Sequence, residues 1–309
     1  MRFYSPGKLL ITAEYAVLDG AQALCLPTKK GQSLTIQENN LGVINWMSKD
    51  ENDKIWFQDQ FKKDYFGIKS TSEYKISESE KESAISERCI QIITAAEQLS
   101  GQHLFEKGYD ILTELEFNRN WGLGTSSTLI NNLAQWLEID PYVLLNKTFK
   151  GSGYDIACAQ ADSPITYERK KNTQISLKAD FEPEFSDHIY FVYLNQKQNS
   201  REGIAHYRKS TVDDREILIE KVSNITQQLI KCDNLAEYDL LINIHENLIS
   251  KALNLPKVKT RLFPDYEGSI KSLGAWGGDF IMVTAKNDPT LYFKEKGFEV
   301  VIPYSQMIL

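Results

Sequence analysis

The sequence is poor in the residues that build metal centres and disulfide frameworks. It has four cysteines and four histidines among 309 residues, and neither type shows paired spacing. We therefore expect reduced thiols, without a disulfide framework or a zinc site. The sequence also has no apolar run long enough for a membrane span and no signal-peptide core at its N-terminus. These absences predict a cytoplasmic protein with no membrane partner.

An excess of basic charge is missing as well. The net charge of −7 argues against non-specific binding of nucleic acid. It does not exclude binding of an anionic ligand, because a local site can be positive on an acidic protein. The hydrophobic share of 42% and the charged share of 25% are typical of a globular protein. The length allows one large domain or two ordinary ones.

A glycine turn lies between a strand pattern and a helix pattern near the middle of the chain. Residues 109–117 alternate as in a strand, and apolar residues recur at helical spacing over 129–137. The turn between them consists of Gly122, Leu123, Gly124, Thr125, Ser126 and Ser127. Its glycines permit a close backbone approach, and the helix start offers unpaired N–H groups to a phosphate. The alternative is an ordinary helix cap that binds nothing.

Three charged residues stand at positions suited to such a ligand. Lys8 follows the Pro6-Gly7 pair and precedes an apolar strand pattern. It is either a solvated lysine or one whose head faces a phosphate. Glu14 lies in a small, apolar stretch as a candidate buried partner for such a charge. Asp155 follows Gly151, Ser152 and Gly153 at a helix start, where it either complements the helix dipole or serves as a base.

The remaining patterns predict a mixed set of strands and helices, with two short strands before residue 20 broken at Pro6-Gly7 and Asp19-Gly20. Further strands are predicted at 23–27, 32–37, 43–47, 54–57, 164–169, 188–194, 280–284 and 298–302. Helices are predicted at 82–99, 129–137, 141–149, 202–231, 236–253 and 289–296, with a loop at 77–83. The order of elements in the second half favours helices packed on an antiparallel sheet.

Four motifs in this order resemble those of the GHMP kinases, the superfamily of galactokinase, homoserine kinase, mevalonate kinase and phosphomevalonate kinase. The motifs are Pro6-Gly7-Lys8, the turn 122–127, the run 151–155 and the run 274–279. The sequence is most similar to the mevalonate-pathway kinases of isoprenoid biosynthesis. The run Gly153-Tyr154-Asp155-Ile156-Ala157 also resembles a bacterial subgroup of the superfamily.

The resemblance implies an α+β, two-domain GHMP kinase fold. Residues 1–178 would form an N-terminal domain like ribosomal protein S5 domain 2, and residues 179–309 a ferredoxin-like domain. The turn 122–127 would hold the phosphates of ATP, and Ser126 would help to bind Mg²⁺. Asp155 would take a proton from an alcohol acceptor, while Lys8 would offset the charge on the transferred phosphoryl group.

The resemblance also implies a small acidic acceptor, most simply mevalonate or phosphomevalonate. The residues assigned to its binding are Glu14, Ser152, Gly153, Lys197, Ser200, Arg201, Gly274, Ala275, Trp276 and Gly277. Two departures bear on this assignment. Trp276 stands in a loop of otherwise small residues, where it is expected to narrow the acceptor pocket or to shift the loop. The run 144–150 lacks the acidic residue with which mevalonate kinases bind Mg²⁺.

Other activities stay open at this point. They are a sugar or amino-alcohol kinase, a related ATP-dependent decarboxylase, and a nucleotide- or metabolite-binding protein without catalysis. The sequence leaves the oligomeric state open as well, a homodimer included.

Overall fold

The computed structural model describes residues 1–71, 80–171, 173–197, 200–209 and 215–309. They form two compact units. The first contains Met1–Gly7, Lys30–Arg119 and Gly124–Gln160, and the second contains Lys8–Lys29, Asn120–Leu123 and Ala161–Leu309. The predicted domain boundary between residues 178 and 179 stays a prediction.

A mixed sheet forms the framework of the first unit. Its strands are β2 (Ala23–Glu38, of which the C-terminal half lies here), β3 (Ile44–Lys49), β4 (Ile55–Asp64), β5 (Gly67–Thr71) and β6 (Tyr109–Leu115). They lie in the order β5-β4-β3-β6-β2, and β3 and β6 are parallel while the other pairs are antiparallel. Buried and less buried residues alternate along β3 and β6, so one face supplies the core.

Helices cover the apolar side of this sheet. They are α1 (Glu80–Ser100), α2 (Leu104–Lys107), α3 (Thr125–Leu137), α4 (Pro141–Thr148) and α5 (Tyr154–Ala159). The core joins Trp46 and Ile111 of the sheet to Ile92, Ile130 and Leu144 of the helices. The predicted start of α4 is confirmed, because Asp140 caps it by accepting from the N–H of Tyr142 at 2.8 Å.

The second unit contains a hairpin and a separate antiparallel sheet. The N-terminal half of β2 pairs with β7 (Ile165–Lys170), which pairs with β8 (Thr173–Lys178). The separate sheet has the order β10-β11-β9-β12. Its strands are β9 (Ile189–Tyr193), β10 (Ile270–Ser272), β11 (Phe280–Thr284) and β12 (Val301–Pro303). The helices are α6 (Ser200–Lys209), α7 (Arg215–Lys231), α8 (Leu235–Leu253), α9 (Val258–Leu262), α10 (Thr290–Glu295) and α11 (Tyr304–Met307).

The predicted mixture of helices and strands is therefore confirmed, and so is the antiparallel sheet of the second half. All four cysteines are buried and free of disulfides. Across the described ranges, no helix combines the length and the apolar character that crossing a membrane requires.

The predicted break at Pro6-Gly7 is wrong, because β1 runs without interruption over Arg2–Leu10. Among the described strands β1 pairs only with β2, so the missing N–H of Pro6 fits an edge strand. The second predicted N-terminal strand is replaced by irregular backbone and a 3₁₀ turn at Ala16–Asp19. Likewise, the two strands predicted at 23–27 and 32–37 are one 16-residue strand.

Two further predictions change in detail. Within the predicted helix 202–231 the structure has α6 and α7, and residues 210–214 lie outside the described residues. The predicted loop 77–83 falls partly on residues 72–79, which also lie outside the described residues, and α1 begins at Glu80. The short strands β8 and β10 were not predicted, because neither segment has a long apolar run.

Candidate functional site

The glycine turn leads into α3 without a side-chain cap. Gly124 is the N-cap residue, with a φ of 97°, and it has no side chain to accept a hydrogen bond from the first-turn N–H groups. The hydroxyl of Ser127 instead donates to the carbonyl oxygen of Gly124 at 2.9 Å. Ser126 is exposed and Thr125 is half-buried. The hydroxyl-rich start of α3 therefore does not act as an ordinary cap, and its N–H groups and dipole suit an anion.

Lys8 is bound to the glycine turn. Its Nζ donates to the carbonyl oxygen of Gly122 at 2.8 Å, and its backbone N–H donates to that of Leu123 at 3.0 Å. Leu123 is fully buried and fixes this part of the turn. A Cβ at residue 122 would lie 2.4 Å from a carboxylate oxygen of Asp279, and the φ of Gly122 is 68°. Only glycine fits there without strain. Lys8, Gly122 and Asp279 thus meet within the second unit.

Asp155 lies in the first turn of α5, in the first unit. It is half-buried, and its Oδ1 accepts from the N–H of Ile156 at 3.2 Å. Gly153, with a φ of 92°, is the N-cap residue, and Ser152 beside it is buried. Gly151 and Gly153, which both have positive φ, thus allow the sharp turn that sets the carboxylate at the helix start.

A buried polar network within the first unit connects α3 to its surroundings. Asn132 accepts from the hydroxyl of Ser5 at 2.7 Å and donates to the carbonyl oxygen of Gln32 at 2.9 Å. Asn131 donates to Ser5 at 2.9 Å and to the carbonyl oxygen of Ala159, in α5, at 3.2 Å. These contacts connect the helix that follows the glycine turn to the helix that carries Asp155. Sequence reasoning missed the network, although two asparagines in an apolar helix pattern were a signal for it.

Glu14 is fully buried in the second unit, as the apolar sequence around it suggested. The cation beside it is the ammonium of Lys271, which donates to Oε1 of Glu14. Burial raises the pKa of Glu14 to about 7, against the opposing pull of Lys271. Residues 13 and 15, on either side, both have positive φ, at 66° and 60°. Local sequence gave no signal for this pairing.

The second glycine-rich loop combines half-buried small residues with a buried tryptophan. Gly274, Ala275 and Gly277 are half-buried. Trp276 is only 4% exposed, and its indole N–H donates to Glu246 at 3.3 Å. Its expected contact with an acceptor stays a prediction.

The loop predicted to bind an acidic substrate group is described only in part. Lys197 is exposed. The backbone of Ser200 and Arg201 belongs to α6, whereas their side chains lie outside the described part of the chain.

The described residues contain no group of three or more His, Cys, Asp or Glu side chains placed to hold a metal ion. Mg²⁺ sites of the nucleotide type use one or two protein ligands together with substrate phosphates and water. The side chain of Ser126 is exposed at the start of α3, and its role as a Mg²⁺ ligand stays a prediction.

The predicted site residues fall into two groups. The first unit contains Gly124, Thr125, Ser126, Ser127, Ser152, Gly153 and Asp155. The second unit contains Lys8, Glu14, Gly122, Leu123, Lys197, Gly274, Ala275, Trp276 and Gly277. That both groups serve one triphosphate stays a prediction.

Solved structures of GHMP kinases match almost the whole chain, so the fold is that of this superfamily. The mevalonate kinase of Methanococcus jannaschii has a TM-score of 0.65 at 17% identity, covering 96% of this chain and 94% of its own. The phosphomevalonate kinase of Streptococcus pneumoniae, in complex with phosphomevalonate and AMPPNP, has a TM-score of 0.68 at 14% identity, covering 98% and 99%. The galactokinase of Lactococcus lactis, with galactose, has a TM-score of 0.60 at 13% identity, covering 96% and 88%. No family model and no curated protein sequence matches the chain.

Proposed function

We propose that the protein is an ATP-dependent kinase of a small acidic metabolite, with mevalonate or phosphomevalonate as the favoured acceptor. The observation that carries the proposal is the start of α3, a glycine turn without a side-chain cap. Lys8 is hydrogen-bonded to the same turn. A helix start without a side-chain cap and an ammonium group are each suited to bind phosphate. The cytoplasmic location and a homodimer stay predictions from the sequence.

Each group has a defined task in the proposed transfer. The N–H groups at the start of α3 and the ammonium of Lys8 bind phosphate oxygens and offset charge as the γ-phosphoryl group moves. Asp155 accepts the proton of the acceptor hydroxyl, whose oxygen forms the new bond to phosphorus while ADP leaves. Ser126 would hold Mg²⁺, which supplies further positive charge at the phosphates. A phosphate acceptor is already ionised, so Asp155 would matter less for it.

The substitution Asp155→Asn tests the base. With an alcohol acceptor we expect kcat to fall by roughly 10³-fold or more, because general-base catalysis contributes on the order of 10²–10⁴. The affinity for AMPPNP, measured by calorimetry, should stay within about twofold, a margin well below the effect of one lost phosphate contact. Asp140→Asn is the matched control, because it makes the same change at another helix start and asparagine also caps well.

The acceptor is identified by ADP release from a panel that contains mevalonate, phosphomevalonate, sugars and amino alcohols. Carbon dioxide is measured in parallel to detect a decarboxylase. Acceptor-dependent ADP release with mevalonate or phosphomevalonate supports the proposal. AMPPNP binding without turnover on any acceptor would instead identify a binding protein, and full activity of Asp155→Asn on an alcohol would remove the base assignment.

A further inference from the structure

The loop Gly274–Gly278 contains a bulky side chain under backbone strain. Trp276 has a φ of 24°, outside the regions that non-glycine residues favour. Such a conformation persists only where surrounding contacts hold it. The indole ring is buried, and its N–H donates to Oε2 of Glu246. The side chain therefore points into the second unit and anchors the loop there.

The carboxylate of Glu246 binds the chain at two places. Glu246 lies on α8 and is 1% exposed. It accepts from the hydroxyl of Ser272 at 2.7 Å and from the N–H of Ser272 at 3.2 Å, immediately before the loop. Within the loop it accepts from Trp276 at 3.3 Å. The three residues between Ser272 and Trp276 are thus clamped at both ends.

A buried cation keeps this carboxylate in place. The ammonium of Lys271 lies 3.5 Å from Oε2 of Glu246 and also pairs with Glu14. His245 stays neutral: burial, and next the charge of Lys271, hold its pKa well below the ordinary value. Its Nε2 accepts from the N–H of Ala13 at 2.9 Å. Two carboxylates therefore face one ammonium, and Oε2 of Glu14 has no hydrogen-bond donor among the described residues.

We propose that Glu246 is the positioning residue of the loop Gly274–Gly278, and that it holds the loop backbone in the conformation that binds a phosphate group of the nucleotide or of the acceptor. The proposal rests on the proposed kinase function. It gives Trp276 the role of an anchor, whereas the half-buried backbone at Gly274, Ala275 and Gly277 would meet the ligand. It gives Lys271 the role of neutralising the carboxylate of Glu246.

Trp276→Phe is the first test, because it removes the indole N–H and retains an aromatic ring. Amide hydrogen exchange of residues 272–278 should become about tenfold faster in the ligand-free protein, as expected when a hydrogen bond to a charged group is lost. The affinity for AMPPNP or the KM for the acceptor should weaken by about tenfold, while kcat changes little because the chemical groups are untouched.

Trp46→Phe is the matched control. The indole N–H of Trp46 is also buried and donates at 3.2 Å, but to the neutral hydroxyl of Ser48 in the first unit. This variant should leave exchange at 272–278 and both binding constants unchanged.

Glu246→Gln and the double variant with Trp276→Phe decide whether the two residues act together. Since both act through one carboxylate, the double variant should be no worse than Glu246→Gln alone. Fully additive losses, or unchanged exchange at 272–278 in Trp276→Phe, would overturn the clamp. Faster exchange with unchanged AMPPNP affinity and unchanged acceptor KM would overturn the positioning role. A wild-type protein that binds neither AMPPNP nor any acceptor refutes the kinase function itself, and the exchange data then report the clamp alone.

Discussion

Replacing Lys271 by methionine should destabilise the protein strongly and in a pH-dependent way. The side chains of Lys271 and Glu14 are fully buried, and that of Glu246 is 2% exposed. Methionine fills much of the volume of the lysine stem but leaves two buried carboxylates without a cation. Breaking a buried ion pair in this way costs about 3–5 kcal/mol. We expect that loss in the free energy of unfolding at pH 8.

The loss should shrink as the pH falls. Without the ammonium, the buried carboxyl of Glu14 loses the charge that lowers its pKa, so its folded-state pKa stays above the ordinary value of 4.5 that holds for the unfolded chain. The folded variant then binds more protons than the unfolded chain, so its stability falls as the pH rises. This carboxyl contributes at most about 1.4 kcal/mol per pH unit to that fall.

Urea unfolding, followed by circular dichroism between pH 5.5 and 8, measures this effect. The control is Lys69→Met, which breaks the pair with Asp64, whose side chains are 58% and 49% exposed. An exposed pair is worth about 0–1 kcal/mol, so this variant should change little. Adding Glu14→Gln to Lys271→Met should recover part of the loss. A loss below about 1 kcal/mol at pH 8, or one independent of pH, would refute the buried-charge reasoning.

Three smaller perturbations test other parts of the structure. Gly122→Ala should lower stability by about 1–3 kcal/mol through positive φ and the contact with Asp279. The control is Gly67→Ala, where φ is 123° and the surrounding space is open, so thermal unfolding of this variant measures the backbone strain alone. Equal losses of stability in the two variants would contradict a contribution from the contact with Asp279. Asn132→Leu should cost about 1–3 kcal/mol in urea unfolding, because its buried partners lose their hydrogen bonds; a neutral result would remove that network. In the wild-type protein, the raised pKa of Glu14 should stabilise the fold by up to about 3 kcal/mol below pH 4.5, and this contribution should be lost as the pH rises through about 7. The variant Glu14→Gln should abolish this part of the pH dependence measured by urea unfolding. An unchanged pH dependence would argue against it.

Local sequence signals predicted the elements that are specified locally. The alternation before the glycine turn gave β6, the apolar spacing after it gave α3, and Asp140-Pro141 gave the start of α4. These signals come from periodicity and capping, which act over a few residues. The order of four motifs supplied the superfamily fold, which the solved structures confirm.

Features that depend on distant residues were not predictable in this way. Pro6 indicated a break because the sequence does not show that β1 is an edge strand. Lys271 is 257 residues away from its partner Glu14, so no local pattern could join them. The inward orientation of Trp276 likewise depends on Glu246, on a separate helix. The assignments of Lys8, Ser126 and Asp155 to one catalytic site stay predictions.

The charge cluster of Glu14, Lys271 and Glu246 also constrains how this chain can evolve. Replacing Lys271 alone leaves two buried carboxylates without a counter-charge, so this single replacement passes through an unstable intermediate. Divergence at these positions should therefore proceed by paired exchanges, and related sequences should show them changing together. An engineer who transplants the loop Gly274–Gly278 into another scaffold would need to move Glu246, Lys271 and Glu14 with it.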